Sequence, residues 1–195
     1  MTIIGTERAA DPPGQSYFPK MATVADLETR QNDFKKAWSR FATGVAVITT
    51  VEPGGQVHGM TANGVTSASL DPPLALASVG HERNTHGLIE STGRFGISIL
   101  KAGQAHIARH YTLPPSQRPA DVRLRFDDLG ATPVIAGALA AMACTVVAAH
   151  AAGDHTIFVA EVDAHSISEG NPLLWYMGRF GELRLDPETP IDGQD

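Results

Sequence analysis

Residues 142–149 and 155–165 are two long apolar runs that flank Ala151-Ala152-Gly153-Asp154. In the second run Phe158, Ala160, Val162 and Ala164 alternate onto one face, which is the period of an extended strand. A Gly-Asp turn between strands of that length predicts a long antiparallel hairpin. Such a hairpin must pair or close to hide its edges. The rest of the chain repeats the pattern in shorter pieces. Val45-Ala46-Val47-Ile48-Thr49-Thr50 reads as a strand, Glu52-Pro53-Gly54-Gly55 as its turn and residues 56–60 as the return. Further strands are predicted at 74–79, 95–100, 173–177 and 180–185. Helical spacing is confined to three places. Phe34, Ala37, Trp38 and Phe41 draw an apolar stripe on a helix that ends before Gly44 and is expected to pack on a core. Residues 84–90 and 102–111 predict two more helices. Many short strands with few helices imply a mainly β domain, an antiparallel barrel.

A chain of 195 residues with 43% apolar content suffices for one substantial core. Residues 1–28 mix Gly, Pro, Asp and Ser without periodicity and read as a loosely ordered N-terminal arm, with the domain at 29–186 and a tail at 187–195. Pro114, Pro115 and Pro119 mark 112–130 as a surface excursion. A formal net charge of −6 argues against nucleic acid and against an anionic membrane surface, both of which call for a basic face. The single cysteine, Cys144, excludes an internal disulfide, and no charged leader with an apolar run opens the chain, so a cytoplasmic location is expected. No window is long and apolar enough to cross a bilayer.

The chemistry concentrates in Gly59-Met60-Thr61-Ala62-Asn63-Gly64-Val65-Thr66-Ser67-Ala68-Ser69-Leu70, a strand-like run that breaks at Asp71-Pro72-Pro73. Small residues let a flat ligand approach the main chain, while Thr61, Asn63, Thr66 and Ser67 offer neutral donors and acceptors to a polar ring edge. Other motifs lead nowhere. His81 and His86 stand five apart and would diverge on a helix. His106 and His110 stand four apart, but no third ligand is near, so a solvated face is expected and no metal site. Cys144 lies in an apolar strand and is expected to be buried and inert. No Gly-x-Gly-x-x-Gly follows a strand, so a Rossmann nucleotide site is absent.

The order Thr43-Gly44-Val45-Ala46-Val47-Ile48-Thr49-Thr50, Gly59-Met60-Thr61-Ala62-Asn63, Ser69-Leu70-Asp71-Pro72-Pro73, Phe95-Gly96-Ile97-Ser98-Ile99-Leu100 and Gly153-Asp154-His155-Thr156-Ile157-Phe158 resembles the flavin reductase family of two-component monooxygenases. The resemblance implies a split β-barrel that forms a homodimer with flavin near the subunit contact. It implies reduction of FMN or FAD by NADH or NADPH, with diffusible reduced flavin passing to a partner monooxygenase. The alternative within the same fold is a flavin- or haem-binding oxidase or carrier without nicotinamide turnover. Carried onto this chain, the family pattern assigns Thr61, Ala62, Asn63, Gly64, Thr66 and Ser67 to the flavin ring. Ser78, Val79 and Gly80 fall in the loop that borders it. Asn84 and Thr85, at a helix start, suit a phosphate, with Arg83 adding charge. His155 is the catalytic candidate beside the nicotinamide, and Arg179 a candidate for its phosphate. Two positions depart from the pattern: Gly64 stands where the family commonly has Ser, and Glu82 would repel a flavin phosphate if it faced inward.

Overall fold

The computed structural model describes residues 24–185. Most of the expected arm, and all of the expected tail at 187–195, lie outside the described residues. The chain divides into two compact units, one ending at Trp38 and one beginning at Ser39. In the first, α1 (Val24–Trp38) carries Asp26 in its first turn and Lys35 and Lys36 in its last, each complementing the helix dipole. Phe34 and Trp38 stack with ring centroids 6.2 Å apart. No residue of α1 is buried.

The second unit is mainly β. Strands β1 (Thr43–Gly44), β2 (Ala46–Val51), β3 (Val57–Ala62), β4 (Val65–Leu70) and β5 (Pro73–Gly80) precede α2 (Asn84–Thr92) and β6 (Arg94–Ile99). After α3 (Ala105–Thr112) come β7 (Phe126–Leu129), β8 (Thr132–Ile135), β9 (Ala140–Ala152), β10 (His155–Ile167), β11 (Leu173–Tyr176) and β12 (Arg179–Glu182). Seven of these form one antiparallel sheet in the order β3-β2-β6-β9-β10-β5-β4, with β1-β11-β12 and β7-β8 as smaller sheets. The predicted long hairpin is β9 and β10, each 13 residues long. Register shifts at Val159/Ala160 and Val162/Ala164 bend it, as bulges do.

The curled sheet wraps a core of Ile48, Ala77, Val79, Phe95, Cys144 and Phe158. A second cluster, with Val45, Val47, Leu100, Ile107, Tyr111 and Leu173, fills the space under α3 and β11. Ala46 and Ile48 face the first cluster while Val45 and Val47 face the second, so β2 is covered on both sides. This is why its sequence runs apolar without alternation.

Two readings of the sequence change. The run 59–70 is not one strand, because the chain breaks at Asn63-Gly64 and its halves join opposite edges of the sheet. The fold then brings the edges back together: Ser78 N donates to Gly64 O at 2.8 Å. The β7–β8 hairpin begins inside the region read as an irregular excursion, and its signal was Gly130, whose φ of 63° supplies the turn.

Candidate functional site

At the break between β3 and β4 a cleft of about 320 Å³ opens. One wall is the end of β3 and the break itself, Thr61 to Gly64. Beside Gly64, and bonded to it, comes Ser78 of β5, then Gly80 with its ladder partner His155 at the start of β10, and Arg83, Tyr111 and Thr112 complete the lining. Strand alternation makes this selection on β5. Ala75, Ala77 and Val79 point into the core, so Ser78 is turned out to the cleft.

His155 is set by pairing and by a neighbour. It lies opposite Gly80 in the β5–β10 ladder, and a Cβ on Gly80 would stand 3.5 Å from its Nε2. The Nδ1–H donates to Asp154 Oδ1 at 2.7 Å, and this hydrogen bond holds the Asp154 carboxyl below its ordinary range. In the neutral ring, Nε2 is then left as an acceptor. Just behind it, Nε2 of His81 and Nε2 of His86 both reach the Thr156 hydroxyl, at 3.1 and 2.8 Å. A hydroxyl has one proton to give, so at least one of these imidazoles donates.

Tyr111 is clamped from two sides. Its ring fills the space above Gly59, and the Arg118 guanidinium lies 4.9 Å from its centroid. Arg118 itself is anchored by donating from Nε to Leu113 O at 3.1 Å and from a terminal nitrogen to Gly59 O at 2.9 Å. The excursion after α3 is thus tied down on the strand that leads into the cleft. Burial raises the Tyr111 phenol above its ordinary value, against a smaller opposing pull from Arg118.

The residues singled out from sequence therefore separate. Thr61, Ala62, Asn63, Gly64, Ser78, Gly80, Arg83 and His155 come together. Within that set the Thr61 hydroxyl is occupied, donating to Ala108 O at 2.7 Å. Thr66 and Ser67 face an apolar groove on the other side of the break. Val79 is in the core. Thr85 is buried with its hydroxyl on His58 Nε2 at 3.1 Å, while Nδ1 of that ring meets Glu52 at 2.9 Å, so Thr85 ties α2 to the β2–β3 hairpin. Asn84 is the exposed first residue of α2. Arg179 is exposed on β12, outside the cleft lining. Glu82 pairs with Arg83 at 3.3 Å and is not a cleft residue. The expectation of a solvated His106–His110 face holds for His106 only. His110 is buried, where α3 turns that side under the excursion. Tyr111 and Thr112 were missed: Tyr111 had no signal in the sequence beyond membership of a helix, and Thr112, read as the start of the excursion, is the last residue of α3.

Residues 38–184 match the model of the flavin reductase like domain. The chain belongs to this family. An NADH-dependent flavin reductase of Rhodococcus is 43% identical over 162 residues, spanning 82% of this chain and 90% of that protein. The styrene monooxygenase flavin reductase of Pseudomonas putida superposes with a TM-score of 0.74 at 34% identity, covering 79% of this chain and 99% of the other. An NADH:FAD oxidoreductase of Streptomyces globisporus, solved in complex with NAD and FAD fragments, superposes with a TM-score of 0.72 at 34% identity, over 87% of this chain and all of that one. These neighbours have the split-barrel fold, which the curled seven-stranded sheet here shares. Among the described residues no helix is long and apolar enough to cross a membrane.

Proposed function

We propose that this protein is an NAD(P)H-dependent flavin reductase that transfers hydride directly to FMN or FAD and supplies reduced flavin to a partner monooxygenase. The observation that carries this reading is the meeting of Asn63 and Gly64 with His155 across a single cleft. The lining suits a flavin. Gly64 and Gly80 let Ser78 and His155 lie close against the main chain of the cleft, Asn63 is exposed with a neutral amide, and Arg83 supplies positive charge. When bound, the flavin supplies the acceptor for two electrons from the nicotinamide.

The protein's own part is placement and shielding. Backbone and amide donors at 62–64 hold a polar ring edge and favour the negative charge that gathers there on reduction. His155 Nε2, an acceptor fixed by Asp154, takes a hydrogen bond from the nicotinamide carboxamide. Tyr111, locked by Gly59 and Arg118, keeps one end closed to water. No side chain is asked to move a proton in the hydride step, and the rate gain comes from orientation of two bound rings.

The partner surface extends the reading. An apolar groove of about 490 Å³ runs along β4, β9 and β10, with Leu70 93% and Ile167 80% exposed at its margin. A face of that kind suits a second copy of the chain, and we read the protein as a cytoplasmic homodimer with residues 29–186 as its working domain. Steady-state NADH oxidation with and without added FMN or FAD tests the function. Turnover that requires flavin supports it, while flavin binding without turnover makes the protein a carrier.

A further inference from the structure

A second, smaller cavity of about 180 Å³ adjoins the cleft and shares Thr61, Ala62, Asn63 and Thr112 with it. Its own walls are of different chemistry: Val45, Trp175 and Phe180. Trp175 and Phe180 are half-buried neighbours across the β11–β12 pair, their centroids 4.9 Å apart and their planes at 62°. Two rings at that angle make a corner that offers a third aromatic ring one face and one edge. The Arg109 guanidinium lies 5.1 Å from the Phe180 centroid. Among the described residues Arg109 joins no ion pair, so its charge is available to an anion beside the corner.

A polar cleft for one flat ring, an apolar aromatic corner for another and a guanidinium next to the corner match a ligand made of two bases linked by phosphates. We propose that the Trp175–Phe180 corner is the subsite for an adenosine diphosphate moiety, with Arg109 on its phosphates. This rests on the flavin reductase reading, under which that moiety comes from NADH or from FAD. Asn63 stands where the two cavities meet and is placed to hydrogen-bond the linker or the base edge, while the Thr112 hydroxyl beside it donates to Arg109 O at 2.7 Å and is left only as an acceptor toward the base. Base-on-aromatic contact of this kind makes Trp175 and Phe180 specificity residues. They act on the half of the ligand that does not react.

The test uses Trp175→Leu and Phe180→Leu, which keep apolar bulk under the corner while removing an aromatic ring, with Trp175→Phe as the conservative control. Thermal melts establish that each variant is folded. Two probes are read. Calorimetric titration with ADP alone should give binding to the wild type that weakens by roughly five- to 150-fold in the Leu variants and largely recovers in Trp175→Phe. Turnover is then compared for NADH against reduced nicotinamide mononucleotide, and for FAD against FMN. A loss in kcat/KM that is larger for NADH than for the mononucleotide, whichever flavin is used, assigns the corner to the pyridine nucleotide. A loss larger for FAD than for FMN assigns it to the flavin. Equal losses across all four pairs, or no loss, overturn the subsite while flavin-dependent turnover stands. ADP binding that is lost in the Leu variants of a protein without NADH oxidation keeps the subsite and overturns the reductase reading instead.

Discussion

A Cβ on Gly59 would lie 2.5 Å from Cε1 of Tyr111, so β3 and α3 meet there with backbone against ring and no space between. The contact sets the position of a ring that lines the cleft, and Arg118 holds its other side. Gly59→Ala should therefore do two things. It should destabilise the fold by about 1–3 kcal/mol, the usual cost of overpacking, and it should weaken flavin binding by displacing Tyr111. Thermal unfolding and flavin fluorescence titration measure the two effects. An alanine variant as stable as wild type and with the same flavin affinity would show that the ring is free to move.

The β architecture was legible because strand alternation and turn residues are local. The hairpin of β9 and β10 follows from the alternation of Phe158, Ala160 and Val162 and from the turn at Gly153, whose φ is 65°. Residues 61–64, which line the cleft, stood out in the sequence because small residues beside an amide are unusual in a strand. Other parts depended on tertiary context. Thr66 and Ser67 are small neutral polar residues like Thr61 and Asn63, yet the break at Gly64 sends them to another face. Val79 was grouped with Ser78 and Gly80, and only the direction of the pleat separates them. Thr85 offers a hydroxyl at a helix start, but His58, 27 positions earlier, takes it. Tyr111 reaches the cleft through a long-range contact with Gly59 that leaves no periodic trace.

His110 gives the protein an acid-sensitive element. Its imidazole is 8% exposed, its Nδ1 is buried without a hydrogen-bond partner, and burial followed by the Arg118 charge pushes its pKa below the ordinary 6.5. A depressed histidine pKa means that the unfolded chain binds the proton more readily than the folded one, so stability falls as pH drops below about 6.5. The melting temperature should decline between pH 7 and pH 5, and His110→Gln should flatten that decline. An unchanged slope in the variant would move the acid sensitivity to another group.

Cys144 is fully buried, and burial with the nearby Asp163 charge pushes its thiol up to about 12. At pH 8 it is almost entirely protonated, and the thiolate is the reactive form. Native protein should resist iodoacetamide at that pH and take up one equivalent in denaturant, as mass spectrometry would record. Alkylation of the folded protein at the rate of a free thiol would mean that β9 opens.

The sharpest split between binding and structure is at His155. Its partner Asp154 is exposed, so their bond orients a ring at the cleft mouth and does not support the core. His155→Ala should leave the melting temperature nearly unchanged and raise KM for NADH by about two- to thirteen-fold, the effect of one neutral hydrogen bond. Flavin affinity should change less, because β5 lies between His155 and the flavin-side residues 62–64. Asp154→Asn tests the orientation alone. With an amide in place of the carboxylate the ring loses its charged acceptor at Nδ1, so KM for NADH should rise in the same direction as in His155→Ala but by less. A variant pair that loses thermal stability while keeping wild-type NADH kinetics would reduce His155 to a turn-holding residue and remove it from the nicotinamide side of the cleft.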